Sequence, residues 1–499
     1  MFPFNPRSGR HMFSPRRLAV AGCLLAALLL GLQSAGLVGQ SAAAIQVSGA
    51  ITSDTTWRAS DSPIIVTGNT ILGPGVTLKI EPGVQVRFDG NYDLIIRGQL
   101  IGQGTAAAPI VFTRNGAKNW RLFQTDETAG ALMRLQYAVI EYGAIVHISS
   151  SDPLVKAELL DSTVRFNNRL EIGPNATVAR STFTDQEMGL YVLGSAVTDS
   201  TFRNNDYGVV LVQGGEEFRN NLVENNRVGV FAAGGGGHIV RANVVRNNRE
   251  EGLTCGTEPG PDGMGGCQGG FFEEISDNTI ANNGRNGILT AGDGLIKNNT
   301  IIGNSGHGIR ILSGRPTVQL NSIKQNAGDG IRSEGLPIVH QNNFVGNSGY
   351  AYAHLNRDSI DLSRNYWGTA IRNEIEARIY DFRMNPAGSG RAIFTPLTPQ
   401  EIAEAVPRGQ GGPGAPVIPT ATTTPTATPR PGRPTPEPPP SATPGPSPTP
   451  ISGLPEGFRP YYACRKSNSG DLQDTGVEVG QTPPRCLPGW ELIQILAKH

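Results

Sequence analysis

The chain has 499 residues, more than one ordinary compact core accommodates, so several domains or a repeat are expected. Gly numbers 64 and Pro 37, both high, and charged residues make up only 17%. Lys plus Arg and Asp plus Glu both number 42, so the net charge is zero. That balance removes the basic footprint of a nucleic-acid binder. No nucleotide, zinc or Ser/His/Asp motif stands out either.

The N-terminus reads as an export signal over residues 1–44. Arg16 and Arg17 precede an apolar run from Leu18 to Leu32, and Ser41 to Ala44 offers a small-residue cleavage site. An uncleaved anchor is the alternative, but Gly31, Gln33, Ser34 and Gly36 interrupt the run and shorten it for a span. Cleavage after Ala44 removes Cys23 and leaves Cys255, Cys267, Cys464 and Cys486. An even count in an exported chain reads as disulfides, and proximity pairs Cys255 with Cys267 and Cys464 with Cys486. Free thiols are the competing reading.

Residues 45–150 read as loosely repeated coils. Val76 to Ile80 and Val84 to Phe88 alternate strictly, separated by Glu81-Pro82-Gly83. Residues 151–370 carry a regular repeat. Apolar anchors at Val164, Phe183, Phe202, Val223, Val245, Ile280, Ile301, Ile323, Phe344 and Tyr366 recur mostly every 19 to 22 residues. One step of 35 contains the Cys255 to Cys267 excursion.

Two residues before the anchors stand Ser or Asn, and three after stands Asn or Gln. Gly follows six or seven residues after the anchor. Of 34 Asn, 26 lie between Asp161 and Asn365. After each Gly comes a short alternating strand, such as Gly308-Ile309-Arg310-Ile311. No helical period of useful length intervenes. About 21 residues must therefore make one circuit of strands and turns. Asn is expected to supply the turns, since it tolerates left-handed angles, and to stack amide on amide between circuits. The product is an all-β, right-handed parallel β-helix solenoid.

Ile371, Ile375 and Ile379 suggest a short helix in a C-terminal cap over residues 371–400. Residues 401–456 turn to Pro, Thr and Ser, a composition that buries no core and reads as a disordered stalk. Residues 457–499, with Cys464, Cys486 and Trp490, read as a small disulfide-stapled module.

Trp57, the stretch Gly75 to Val84, the Asn-x-φ-x-x-Asn…Gly-φ-x-φ units and Asn365-Tyr366-Trp367-Gly368 resemble exported bacterial right-handed parallel β-helix repeat proteins of the pectate-lyase-like superfamily. The resemblance spans about residues 45 to 400. It implies a fold, but the superfamily mixes lyases, glycosidases, epimerases, adhesins and surface proteins, so activity does not follow.

Glycan-active members place their sites on the outer face of one stacked sheet. Positions flanking the Gly strands give an aromatic stripe of Tyr191, Tyr207 and Phe231. Further on they give a charged patch of His307, Arg310, Asp329 and Arg332. Those seven are the ligand-binding candidates: rings for sugar faces and arginines for uronate carboxylates. They are equally compatible with an ordinary solvated or packed solenoid face.

Gly306-His307-Gly308 resembles the Gly-His-Gly of polygalacturonases. The paired acids that inverting hydrolysis needs are missing from the preceding coils. Catalytic residues therefore stay unknown. No cofactor is identified. Calcium is a family cofactor, but Glu258, Asp262, Glu273 and Glu274 show no calcium spacing. The first reading is a secreted or cell-surface protein that binds polysaccharide or another surface ligand. A polysaccharide lyase or hydrolase, and a purely structural surface protein, are the alternatives.

Overall fold

A computed structural model describes residues 44–125, 130–148, 156–256, 267 and 272–408, and the backbone of three strands further on. The N-terminal region expected to direct export, residues 1–43, lies outside the described residues. Among the described residues no helix is long and apolar enough to cross a membrane.

The chain from Ile45 winds into a parallel β-solenoid. Each regular coil carries three short strands, for example Thr279–Ala281, Ile288–Thr290 and Leu295–Lys297. Each strand pairs in parallel with its equivalent one coil on, as Ile280 does with Ile301 and Ile288 with Ile309. The stack thus has three faces. The first two share a sheet of 27 strands, and the third has 13. The anchor column sits inside: Phe183, Phe202, Ile280, Ile301 and Ile323 are all fully buried, and Phe183 stacks on Phe202 at 4.8 Å. Each coil alone could not bury its apolar side, so the stack is the unit of stability.

Two ladders of amides tie the coils together. Asn221, Asn243, Asn278, Asn299, Asn321 and Asn342 lie inside the corner before the first face. Each Nδ2 donates to Oδ1 of the next at 2.9–3.1 Å, and the same Oδ1 accepts the preceding backbone N–H. A second ladder, Asn205 through Asn326, does the same at the corner before the second face.

Asn does supply many of the left-handed turns, at Asn204, Asn220, Asn225, Asn247, Asn282 and Asn298, but these are not the stacked ones. The laddered Asn do not make the turns. The left-handed angles belong to the residue just before each of them: Asn220, Ala242, Asp277, Asn298, Leu320 and Gln341, with φ between 54° and 58°. An αL residue turns the chain, and the next residue's amide is thereby aimed inward, where only a side chain with both donor and acceptor continues the ladder. The glycines of the repeat answer to this packing. A Cβ on Gly287 would stand 2.7 Å from the Gly308 carbonyl oxygen and 2.8 Å from Asn304 Nδ2.

At the far end, the helix is shorter than the isoleucine spacing suggests. It runs Arg372–Ala377; Ile375 is buried, whereas Ile371 is exposed and Ile379 belongs to the next strand. Trp367 stacks on Phe344 at 5.0 Å and closes the apolar column.

The segment from Thr398 to Arg408 then turns back along the side of the stack. Thr398 bonds the Asn365 carbonyl, Ile402 exchanges two bonds with the Asn343 amide, and Glu401 pairs with Lys324. Asn298 Nδ2 donates to the Glu404 carbonyl, and Arg408 N donates to Asp277 Oδ1 at 2.9 Å. Residues 401–408, assigned by composition to the stalk, thus lie bonded to the coils. The C-terminal module is an antiparallel sheet in which Phe458–Lys466 pairs with Leu472–Glu478 and with Trp490–Lys498. Cys486, and with it the expected Cys464–Cys486 bond, lies outside the described residues.

Cys255 and Cys267 are joined, as their spacing suggested. Cys255 is buried against Leu289 and Ala291. Free-thiol counting on the folded protein is expected to find neither cysteine reactive. A Cys255→Ala, Cys267→Ala variant should unfold at a denaturant concentration close to that of wild type, because coil stability is spread over neighbouring interfaces. A large loss would mean that the disulfide holds the stack itself.

Candidate functional site

The outward side chains of the second face form two adjacent columns. One runs Met188, Tyr207, Val228, Glu251, Asn286, His307, Asp329 and Tyr350. The other runs Tyr191, Val210, Phe231, Thr254, Leu289, Arg310, Arg332 and Ala353. All seven candidates stand in these columns. From Tyr191 to Arg332 they cover six coil steps, about 29 Å.

Exposure divides the seven. Tyr191 and Phe231 are buried, at 3% and 4%, in a cluster with Met188, Val210 and Val228 outside the sheet. Apolar residues fill both columns over three successive coils, so they pack on one another instead of presenting open rings. The guanidinium of Arg169 also lies 4.0 Å from the Tyr191 ring centre. Tyr207 is half-buried and meets Phe231 edge-on at 5.6 Å. Of the stripe, Tyr207 and the margin of Phe231 border open space.

That space is a cleft of about 350 Å³ bounded by Tyr207, Arg227, Phe231, Glu250, Glu251 and Arg285, with Thr254 and Leu289 also lining it. Four of these, Arg227, Glu250, Glu251 and Arg285, are not among the sequence candidates. Three of them, Arg227, Glu250 and Arg285, had a readable signal. Two residues before the repeat glycine stand, coil by coil, Glu187, Asp206, Arg227, Glu250 and Arg285, and then Gly306 and Gly328. The signs run two acids, then a base, an acid and a base.

Arg227 donates to both oxygens of Asp206, at 2.7 and 3.0 Å, and to Glu250 at 3.0 Å. The Asp206 bond holds its guanidinium firmly charged, and the same group lies 4.5 Å from the Tyr207 ring centre. Arg285 makes one looser contact to Glu250, 3.7 Å, and its side chain is 62% exposed. Glu251 is nine-tenths buried, with Asn286 Nδ2 at 3.4 Å. Burial, with the Glu250 charge adding to it, raises the Glu251 carboxyl above its ordinary range, against the pull of Arg285.

Two coils further along the same column lies the charged patch. Asn286 Oδ1 accepts the His307 N–H at 3.0 Å, His307 Nδ1 accepts the Asp329 N–H at 2.9 Å, and Asp329 Oδ1 accepts the Tyr350 N–H at 2.9 Å. His307 therefore does structural work through Nδ1, and the neutral ring carries its proton on Nε2. Burial pushes its pKa down; Arg332 and Arg310 add to this and Asp329 opposes it. Arg332 reaches Asp329 at 3.3 Å and Arg310 reaches Glu334 at 3.5 Å. Among the described residues no cluster of His, Cys, Asp or Glu could hold a metal ion.

A parallel stack with inward amide ladders, small glycines and one elaborated outer face defines a β-helix protein. The family model described as "right handed beta helix region" matches residues 141–260 and 262–366, so this part of the chain is a right-handed β-helix. No curated protein matches the sequence. Among solved structures the chain is similar to two crystal structures of single-substitution variants of the periplasmic alginate epimerase AlgG. Both are 14% identical to it. One covers 70% of this chain and 83% of its own with a TM-score of 0.28. The other covers 69% and 84% with a TM-score of 0.26.

Proposed function

We propose that this is an exported β-helix protein that binds an acidic polysaccharide along its second face. One observation carries the reading. The cleft beside Tyr207 and the patch of Arg310 and Arg332 share two side-chain columns of a rigid sheet, so an extended polymer can meet both. Strand-borne side chains hold that spacing without ordering on binding. Arg310 and Arg285 each keep a partly exposed guanidinium with only a long contact to one acid, which leaves donors for ligand carboxylates.

Binding of oligogalacturonate and oligomannuronate to wild type, measured by calorimetry, tests the proposal. Arg310→Ala, Arg332→Ala should weaken both by about tenfold or more, in line with losing hydrogen bonds to charged groups. Neutral oligosaccharides should be unaffected. Wild-type protein that takes up no uronate oligomer would end this reading. The raised Glu251 carboxyl favours a lyase or hydrolase as the second reading. Depolymerisation of those oligomers, lost in Glu251→Gln, would select it.

A further inference from the structure

We infer that the cleft between Tyr207 and Arg285 is a subsite for one carboxylate-bearing sugar residue, and that Glu251 takes up a proton when this residue binds. The inference rests on the polysaccharide reading and assigns a chemistry to one part of that face.

The charges around the cleft lead to it. Arg227 is held between two acids, since Asp206 takes two of its N–H donors and Glu250 a third. Glu250 is shared between Arg227 and Arg285. Among the described residues lining the cleft, Arg285 is the more exposed guanidinium and has one long contact, so its natural partner is an anion. Glu251 lines the same space and is nine-tenths buried. Among the described residues no cation is within ion-pair reach of it; its carboxylate has the long contact with Asn286 and its own backbone N–H. An ionised Glu251, itself nine-tenths buried, would repel any anion drawn in by Arg285. A protonated Glu251 offers an O–H donor instead and completes the site. The facing groups act in opposite directions: Glu250 favours the protonated form, while Arg285 and the Asn286 amide favour the ionised one. Tyr207 and Phe231 supply an apolar wall on the other side. A ligand carboxylate also takes over Arg285's attention, removing the main charge that keeps Glu251 ionised. Anion binding and proton uptake are therefore linked, and linkage is reciprocal.

Calorimetry with hexameric oligogalacturonate, in buffers of different ionisation enthalpy, reads the proton directly. Wild type should take up a fraction of a proton per oligomer. Its affinity should fall as pH is raised through the ionisation of the raised Glu251 carboxyl. Glu251→Gln keeps a donor at the same place. It should bind with wild-type affinity at the acid end, show no net uptake and lose the pH dependence. Arg285→Ala should lose about tenfold for the oligogalacturonate and nothing for its methyl ester. Uptake that persists in Glu251→Gln, or an Arg285→Ala variant that binds as wild type while Arg310→Ala, Arg332→Ala does not, overturns the subsite and leaves the polysaccharide reading standing. No binding by wild type overturns both.

Discussion

Replacing Asn278 with leucine is expected to destabilise the protein by about 3 kcal/mol or more, although leucine is apolar and close in volume. The Asn278 amide accepts both the N–H and the Nδ2 of Asn243, at 2.9 and 3.1 Å. It donates to Val240 O at 2.9 Å and to Asn299 Oδ1 at 3.0 Å. The variant strands the Asn243 N–H and the Val240 carbonyl in a dry interior, at about 1–3 kcal/mol each. Ladder neighbours also polarise one another, so the gap should exceed the sum for isolated bonds. Asn347→Leu provides the contrast. That residue ends its ladder and is half-exposed, and water can replace what it loses. Urea unfolding of the two variants checks the order; equal losses would show that the ladder adds nothing beyond local bonding.

A comparable loss is expected for Glu216→Ala, and this one depends on pH. Glu216 and His238 are both fully buried, with Oε2 and Nδ1 2.7 Å apart. Oε1 accepts the N–H groups of Gln213 at 2.9 Å, Gly214 at 3.0 Å and Gly194 at 3.3 Å. The pair thus clasps three successive coils. Burial alone would raise the Glu216 carboxyl, but the bond and charge of His238 and the backbone N–H groups outweigh it and hold the pKa below the ordinary value. Removing one partner of such a buried pair costs about 3–5 kcal/mol. The sign follows from the lowered pKa. The contribution is complete above the unfolded value of about 4.3 and is lost as pH falls through the lower folded value. The difference in unfolding free energy between wild type and Glu216→Ala should shrink below about pH 4. A difference that grows on acidification would contradict the assignment.

The fold was legible because its signal is repeated. Anchors such as Ile280, Ile301 and Ile323 mark the inward column, and the Asn before and after them mark two corners, so each coil checks the register of the next. The left-handed residues were not legible. Asn220 and Asp277 suit that angle by chemistry, but Ala242 and Leu320 occupy the same corner, and nothing in those side chains announces it. The second face was half legible. Alternation after the glycines placed Arg310 and Arg332 in one column and His307 and Asp329 in the other. The openness of Tyr191 and Phe231 was not readable, because burial there depends on what neighbouring coils contribute to the same outer surface. Glu251 and Arg285 went unrecognised as a pair because Arg285 stands two residues before its glycine, outside the two columns read from the alternation.

The return of Thr398–Arg408 along the stack has a mechanical consequence. Its contacts run from Asn365 back to Asp277, so Arg408 lies against the flank of the solenoid, four coils short of its end. A load applied beyond Arg408 does not pull on the cap. It meets the Arg408–Asp277 bond first, then those of Glu404 with Asn298, then Ile402 with Asn343. Bonds loaded one after another yield at low force, whereas bonds loaded side by side share it. Detaching the segment would release about 35 Å of extended chain before tension reached Trp367 and the apolar column. The coils, and the face they hold in register, are thereby shielded by a compliant element in series with them.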